Sequence, residues 1–490
     1  MGLKRYAAVS IVFVLLLLPN AFGGGFMYDG LGVKARGMGG AFRAVADDWS
    51  AAYYNPAGYI RIQDNMLAGN LDIFHNRYSV TPEIWWGGTY SSGYYNGQEI
   101  ANQHYVNNVP QFGTLARFPI WDEMVLGFSI MQTFDQNQNW VDVFGFDGIE
   151  GYGTRDLPNN LVGINLDVVA FQVTAARSFM DEKFSAGIGI SVLRADLSYT
   201  DLLLRDNPLL DFPDAAPYVD RPFEKIPQWY YNNGNGWGLG YKMGFLYSPT
   251  DKIDLGFVYT GKSSVTIKGD YVSTYYMGDN PGIATPWQET DEEYLFFSGI
   301  DGTVTADFET TLDLPASIGL GTAFKFNDKL TLAIDGEYVF WSQFEGLDFE
   351  YSNYVIPVDP SFHIINDSLV KKDIPSLSRW DDVFRVMAGI NYQLKDFVQL
   401  RGGFCYDQSP TDKETTTLHF IDLGDKYSYS VGASFDIGYW QVSISGVYTH
   451  HPDLNVENIA DINNDGLMDN LAGTYKADNY QTILGFTYRF

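Results

Sequence analysis

The stretch YQTILGFTYRF at residues 480–490 alternates large apolar side chains with polar or small ones. Tyr480 and Phe486 fall on one face of an extended chain and Gln481 and Thr487 on the other, because successive side chains of a β-strand point to opposite sides. No sustained helical period competes with this pattern after the N-terminus. The same period of two recurs along the chain, most clearly at residues 330–341 and 440–449.

The connections between these segments alternate between short and long, as in a membrane barrel with tight turns on one side and loops on the other. Short turns are predicted near residues 118–122, 179–182, 248–251, 326–328, 394–396 and 437–439. Long loops are predicted near residues 81–109, 136–160, 200–234, 271–302, 343–380, 408–425 and 451–477. Six turns and seven loops join fourteen strands. The sequence therefore predicts an all-β protein, a 14-stranded antiparallel transmembrane β-barrel whose aromatic-rich strand ends form interfacial girdles.

Composition excludes several classes of function. Asp and Glu total 60 against 31 Lys and Arg, for a net charge of −29, so nucleic acid is not the expected partner. The single cysteine, Cys405, excludes an intramolecular disulfide and a cysteine-based metal cluster. The motifs HExxH and GxSxG and the P-loop spacing are absent from the sequence, so we expect a protein that is not an enzyme.

The N-terminus predicts export. Lys4 and Arg5 precede an apolar run at residues 6–18 that is too short to span a bilayer comfortably, and small residues follow. We expect a cleaved signal peptide at residues 1–23 and a mature chain in the outer membrane of a Gram-negative cell. The barrel is expected over residues 64–490.

Between these two parts, residues 24–63 do not resemble a strand. They contain a glycine-rich run and the segment ADDWSAAYYNPAG at residues 46–58. Because fourteen tilted strands enclose a lumen too wide for side chains to fill, we expect residues 24–63 to form an N-terminal hatch that plugs the lumen.

Three blocks of sequence resemble the FadL-type outer-membrane transporters of hydrophobic compounds. The first is the glycine-rich run with Ala46-Asp47-Asp48 and Asn55-Pro56-Ala57, which looks like the hatch of that family. The others are LPASIGLG at residues 314–321 with Trp341-Ser342, and LRGGF at residues 400–404 with YDQSP at residues 406–410. The chain departs from the family at HFID, residues 419–422, and in an acidic third loop.

The resemblance implies passive uptake of hydrophobic small molecules. A ligand would be captured at the extracellular loops, pass the hatch as it shifts, and leave sideways through the barrel wall into the membrane. Long-chain fatty acids are the leading substrate. The alternatives are a transporter of aromatic hydrocarbons and a barrel scaffold that presents clients to secretion machinery. Besides its ligand, we expect outer-membrane lipid and lipopolysaccharide as partners of a monomer that requires no cofactor.

Several residues are candidates for a ligand site. The turn Asn55-Pro56-Ala57 is the gating candidate, against the alternative of a turn with no gating role. Large apolar residues in the third and fourth loops either bind ligand or pack together: Leu203, Leu210, Phe212, Phe223, Trp229, Tyr276, Trp287 and Phe296. The alternation of side chains along the strands also predicts that several charged residues face the lumen, among them Lys242, Asp335, Glu337, Arg385 and Arg401. Of these, Arg385 and Arg401 are the candidates to hold a fatty-acid carboxylate, unless they pair with Asp335, Glu337 or Asp407 inside the wall.

Two further features complete the predictions. Gly127, on the third strand, is the candidate for a kink that opens the wall, because a residue without Cβ allows a bulge. The last loop places oxygen ligands at alternate positions with a glycine between them, which suits Ca²⁺ or a solvated acidic turn: Asp461, Asn463, Asp465 and Asp469.

Overall fold

The structure is a computed structural model that describes residues 25–83, 97–103, 106–117, 124–141, 161–180, 183–207, 225–278, 296, 298–299, 301–356, 380–411, 416–420, 423–457 and 472–490. The first strands are β1 (Met66–Pro82), β2 (Ile100–Ala101), β3 (Val106–Arg117), β4 (Met124–Val141), β5 (Leu161–Phe179), β6 (Phe184–Asp206), β7 (Lys225–Thr250), β8 (Ile253–Thr260), β9 (Ser263–Tyr276) and β10 (Asp301–Leu314). The others are β11 (Ser317–Asn327), β12 (Leu330–Val339), β13 (Glu350–Val355), β14 (Val383–Lys395), β15 (Val398–Asp407), β16 (Lys426–Ile437), β17 (Trp440–His450), β18 (Leu454–Val456) and β19 (Gly473–Arg489). Three short helices, α1 (Val33–Gly37), α2 (Ala51–Tyr54) and the 3-10 helix η1 (Pro56–Arg61), precede β1, and η2 (Trp341–Gln343) follows β12.

The wall is a closed antiparallel barrel. Each wall strand pairs with its neighbour in the chain, and β1 pairs with β19 along Met66–Pro82, which closes the sheet. A break at residues 261–262 divides one wall strand into β8 and β9, and a break at residues 315–316 divides the next into β10 and β11. Counted in this way, the described residues form fourteen wall strands, which confirms the predicted fold.

Several strands are longer than the sequence analysis predicted. β6 continues to Asp206 and β7 begins at Lys225, inside the region expected to be the third loop. The outer faces of β9 and β10 are polar and carry the exposed ion pair between Lys268 and Glu309, at 2.6 Å. A polar outer face fits a strand that stands in water. The loops predicted at residues 200–234 and 271–302 therefore include the ends of β6, β7, β9 and β10.

The middle part of the wall is apolar on its outer face. Leu239 is 71% exposed and Val431 is 68% exposed, while polar residues such as Asp335 on β12 point inward and are buried. This inversion of the usual pattern is typical of a membrane barrel. The described helices are all too short or too polar to cross a membrane.

The described residues ahead of β1, 25–65, form what we call the plug. Leu31, Met38 and Phe42 in the plug are fully buried, in one cluster with inward-facing residues of the wall. Glycines on the inner face of the wall allow the plug backbone to approach closely. A Cβ added at Gly187 would lie 2.5 Å from the backbone nitrogen of Ala57. The plug therefore packs against the inner face of the wall.

Candidate functional site

Asn55 anchors the plug to the barrel wall. Its side-chain nitrogen donates to the backbone oxygen of Arg43 at 2.8 Å and to that of Phe245 on β7 at 3.0 Å. Its side-chain oxygen accepts from the backbone nitrogen of Ala57 at 3.1 Å, while Pro56 occupies the first turn of η1. Asn55 is fully buried. The predicted turn is therefore a cap and a tether, built from the residue types suited to a helix start.

A buried ion pair network forms the second connection between the plug and the wall. Asp335 and Glu337, two residues apart on β12, face the lumen together. Asp335 accepts the backbone N–H groups of Phe42 and Arg43 at 2.8 and 2.7 Å. The guanidinium of Arg43 lies 2.6 Å from Glu337. The sequence analysis placed both carboxylates inward, but it did not identify Arg43 as their partner, because that contact joins residues almost 300 positions apart.

Arg385 and Arg401, the two predicted carboxylate-binding residues, have different surroundings. Arg385 lies 2.9 Å from Asp407 and 3.7 Å from Glu337, which is the alternative that the sequence analysis left open. Arg401 donates to three neutral side chains instead: Asn391, Ser434 and Gln399. β14 and β15 pair side by side, but Arg385 lies opposite Asp407 and Arg401 lies opposite Asn391, so the strands do not bring the two cations together.

An aromatic cluster encloses the first described residues of the plug. Five rings surround the ring of Phe26 at centroid distances of 4.8–5.8 Å: Phe134, Trp341, Phe344, Trp380 and Phe420. Phe420 reaches the cluster because residues 416–420 fold inward. Trp140 donates to the backbone oxygen of Leu418 at 3.0 Å, and Gln136 donates to that of His419 at 2.8 Å.

The predicted loop residues that the structure describes are packed. Leu203 contacts the core that contains this aromatic cluster, whereas Trp229 and Tyr276 belong to a separate cluster around Trp140. Phe296 is buried. The remaining candidates lie outside the described residues: Leu210, Phe212, Phe223 and Trp287, together with the calcium candidates Asp461, Asn463, Asp465 and Asp469.

A window interrupts the wall between β3 and β4. These strands pair only from Phe112–Ile130 to Arg117–Val125, although β3 continues beside β1 as far as Val106. Beyond Ile130, β4 pairs with the plug instead: Met27 bridges Phe134, flanked by two backbone hydrogen bonds of 3.0 Å. Further along β4, Asn139 accepts from the backbone nitrogen of Gln103 at 2.8 Å and closes the window at its other end.

The window begins beyond Gly127, the predicted kink. Gly127 is in regular register with Leu115 on one side and Thr174 on the other. The register of β4 shifts between Gln132 and Phe134, where β4 leaves β3 for the plug. Gly127 instead makes room for Tyr59 of the plug, whose ring a Cβ at this position would overlap.

A small apolar cavity lies between the plug and the wall. It has a volume of about 80 Å³, and its lining includes Met27, Tyr53 and Leu193 together with the charged side chains of Lys242 and Glu337. The ammonium group of Lys242 donates to the backbone oxygen of Tyr53 and lies 4.4 Å from the centroid of the Tyr53 ring. Burial raises the pKa of Tyr53 to about 12, so its hydroxyl is neutral.

Lys242 differs from the arginines nearby because its described partners are uncharged: a backbone oxygen and an aromatic ring. Among the described carboxylates, none lies within the 4.0 Å of an ion pair from its ammonium nitrogen, whereas Arg43 and Arg385 each have such a partner. The sequence analysis placed Lys242 inward but did not select it, because strand parity does not show which inward-facing cation lacks a carboxylate.

Comparison with protein families gives a match over nearly the whole chain. The family model described as outer membrane protein transport protein (OMPP1/FadL/TodX) matches residues 14–490. A putative outer membrane protein of Neisseria meningitidis, NMB0088, is 23% identical over 52% of this chain, and the match spans 52% of that relative. A long-chain fatty acid transport protein of Escherichia coli O157:H7 is 22% identical over 87% of this chain and 89% of its own length.

Solved structures show the same fold. The crystal structure of a Pseudomonas aeruginosa FadL homologue has a TM-score of 0.72 at 19% identity, covering 95% of this chain and all of that one. The toluene transporter TodX of Pseudomonas putida has a TM-score of 0.69 at 16% identity, covering 94% of this chain and 99% of that one.

Proposed function

The chain belongs to the OMPP1/FadL/TodX family of outer membrane transport proteins, and we propose that within this family its substrates are long-chain fatty acids. At the coarser level it is an outer-membrane transporter of hydrophobic substrates, and this family transports rather than catalyses. The relative in Escherichia coli O157:H7 is named a long-chain fatty acid transport protein, which supports the proposal.

The observation that carries the proposal is Lys242 in the apolar cavity. An apolar chain is stabilised by roughly 25 cal/mol for each Å² that it removes from water, so apolar walls capture the tail. A carboxylate gives the ammonium group of Lys242 a stronger partner than the backbone oxygen of Tyr53. Apolar walls with one cation of this kind suit a fatty acid better than a hydrocarbon without charge.

The cavity is too small for the whole ligand as it stands. Its volume of about 80 Å³ compares with ~300–1,000 Å³ for pockets that enclose drug-sized molecules. Plug residues line it, including Met27 and Tyr53, and Met27 also bridges β4 at the window. A fatty acid that binds Lys242 therefore displaces these plug residues, which frees the window for lateral exit.

A second candidate, transport of aromatic hydrocarbons, is favoured by the aromatic cluster around Phe26. Rings of a hydrocarbon suit such surroundings, since aromatic pairs prefer tilted and edge-to-face contacts like those of Phe26 with Trp341 and Trp380. The solved structure of a toluene transporter with the same fold agrees with this candidate.

Uptake of labelled oleate and of labelled toluene tests the proposal, in a host that lacks its own channel for both compounds. We compare the wild type with Lys242→Met, which keeps the length and apolar stem of the side chain. Lys268→Met, at an exposed lysine of β9, is the matched control. Heat-modifiable gel migration establishes folding for each variant.

We expect Lys242→Met to reduce oleate uptake about tenfold, the equivalent of one charge-assisted hydrogen bond, and to leave toluene uptake unchanged. Oleate uptake that survives Lys242→Met contradicts the role of Lys242. A folded wild type that imports toluene alone establishes the second candidate. One that imports neither compound favours the scaffold function that presents clients to secretion machinery.

A further inference from the structure

A second cavity borders plug residues 25–29, which we call the plug strand, and its lining is polar. It has a volume of about 90 Å³ and is bounded by plug residues 25–29, by β1, by residues 135–138 of β4, and by His451 and Asn479. Met27 lines both this cavity and the apolar one. The first described residues of the plug thus separate an apolar cavity from a polar cavity.

Two polar side chains of the polar cavity keep unused hydrogen-bonding capacity. His451 is only 3% exposed, and its Nε2 lies 3.1 Å from the side-chain nitrogen of Asn479. That same nitrogen donates to the hydroxyl of Tyr78 at 2.9 Å. Nδ1 of His451 and Oδ1 of Asn479 are buried without a hydrogen-bond partner among the described residues. Buried polar atoms normally have partners, so these two indicate a ligand or water.

The protonation state of His451 determines which hydrogen-bonding groups His451 and Asn479 present to the cavity. Burial and the charge of Lys426 lower the pKa of His451 to about 3, so the ring is neutral. With Nε2 accepting from Asn479, the single ring proton is on Nδ1, and Nδ1 is a donor. Oδ1 of Asn479 is an acceptor. The cavity therefore presents one donor and one acceptor that lack partners.

The charged groups of the lining balance each other. Asp29, Asp135, Arg36 and Lys426 all line the cavity, so its acidic and basic side chains are equal in number. Asp29 already lies 3.7 Å from Arg36, and Lys426 donates to the backbone oxygen of Gly25 at 3.3 Å. A balanced lining does not favour a charged guest, so it suits a head group that is polar and uncharged.

The polar cavity borders the window, and an apolar depression lies on the outer surface at the rim of the window. Residues 135–138 of β4 continue directly from the unpaired edge of the window. On the outer surface, Phe112 and Ile130 at the rim of the window share a depression of about 960 Å³ with Leu71, Ile444 and Leu484. These last three side chains are among the exposed apolar residues of the membrane-facing wall.

We propose that the polar cavity is a head-group site for a single-chain amphiphile on its way out through the window. Its head group is a protonated carboxylic acid or an alcohol, which accepts from Nδ1 of His451 and donates to Oδ1 of Asn479. The tail extends through the window into the apolar depression outside. This inference rests on the proposed function. It adds a second binding site, at which the head group is neutral, to the site at Lys242, at which the head group is a carboxylate.

Photolabelling of the purified, folded full-length protein tests the site without requiring transport. The probes are dodecanoic acid and dodecanol, each with a diazirine beside the head group, and a diazirine-bearing dodecane. Each is applied to the wild type, to His451→Leu, and to His450→Leu, the exposed neighbour that serves as matched control. Mass spectrometry maps the labelled peptides.

We expect the acid and the alcohol to label residues 135–138 and the segment around Asn479 in the wild type and in His450→Leu. In His451→Leu that labelling falls about tenfold, as the loss of one hydrogen bond to the ligand predicts, while labelling at the apolar cavity is unchanged. Labelling of the polar cavity by dodecane to the same extent, or labelling that His451→Leu does not reduce, overturns the proposal. Failure of the proposed function is a separate result, the absence of oleate uptake by the wild type.

Discussion

The buried side chain of Asn55 both caps a helix and connects the plug to the wall. Its oxygen caps η1 at Ala57, and its nitrogen ties the plug to the backbone of Phe245 in the wall. Because each group that loses its partner stays buried, substitution at Asn55 costs more than the hydrogen bonds themselves. The residue therefore governs how firmly the plug is seated next to β7.

Asn55→Ala removes the cap and the tether, whereas Asn55→Asp retains an acceptor for the cap and removes the donor. We expect both variants to raise amide hydrogen exchange across η1 in the folded barrel. A loss of roughly 1–3 kcal/mol predicts an increase of about fivefold or more in Asn55→Ala and a smaller one in Asn55→Asp. Exchange that matches the wild type in both variants means that Asn55 does not hold the plug.

Glu337 lies between two buried arginines. It is 2.6 Å from Arg43 in the plug and 3.7 Å from Arg385 in the wall, and it also accepts from the hydroxyl of Ser317. Removing one member of a buried ionic network leaves the others uncompensated, at a cost of about 3–5 kcal/mol.

Glu337→Gln is therefore expected to lower the temperature at which the folded band is lost in heat-modifiable gels. The matched control is Glu309→Gln, which breaks the exposed pair with Lys268, because surface pairs contribute about 0–1 kcal/mol. Equal shifts in the two variants would show that the network is not a principal contact between plug and wall.

At the scale of elements, close packing of backbone against backbone seats the plug. Gly187 on β6 faces the backbone of Pro56 and Ala57, so an added methyl group meets atoms that no side-chain rotation can move. We expect Gly187→Ala to displace η1 at a cost of about 1–3 kcal/mol, whereas Gly446→Ala on β17, where nothing lies within 4 Å, changes little. Trypsin cleavage after Arg61, followed on the folded barrel, measures the displacement. Equal protection of Arg61 in both variants contradicts this packing.

The elements also show how far the sequence determines the structure. Alternation with period two is a local property, so residues 480–490 and 440–449 predicted their strands directly. The same alternation is present in β10, with Val304, Ala306 and Phe308 inward and polar residues outward, and nearly all of β10 lies between the predicted loop at 271–302 and the predicted turn at 326–328. Only the ends of the long strands, such as residues 271–276 of β9, were assigned to loops.

The functional site was less predictable from the sequence. It depends on strand pairing that is missing between β3 and β4, and on contacts between residues far apart in the chain. The window arises where β3 and β4 fail to pair, and nothing within either strand indicates that the plug takes the place of β3. Gly127 was a reasonable candidate from the chemistry of glycine, but the register of β4 shifts between Gln132 and Phe134, next to the bridge of Phe134 with Met27. Contacts between distant parts of the chain, such as Arg43 with Glu337, become visible only once the barrel closes.

At the scale of the whole molecule, the plug connects the apolar cavity to the window between β3 and β4. Met27 lines the apolar cavity that holds Lys242, and its backbone bridges β4 at the window. If ligand entry moves this strand, one displacement both makes room for the ligand and opens the wall. If plug residues 25–29 are fixed to β4, the barrel should remain folded and its window should remain closed.

A disulfide that fixes the plug strand on β4 tests this central claim most directly. Met27 and Phe134 form a bridge flanked by hydrogen bonds, the kind of pair whose Cα atoms lie close enough for a disulfide, so both are replaced by cysteine in a Cys405→Ala background. A control disulfide joins positions 266 and 311, an exposed pair of β9 and β10. Oleate uptake is measured before and after reduction.

We predict that the plug disulfide abolishes uptake, that reduction restores it, and that the control disulfide has no effect. Uptake that continues through the oxidised plug would contradict the account.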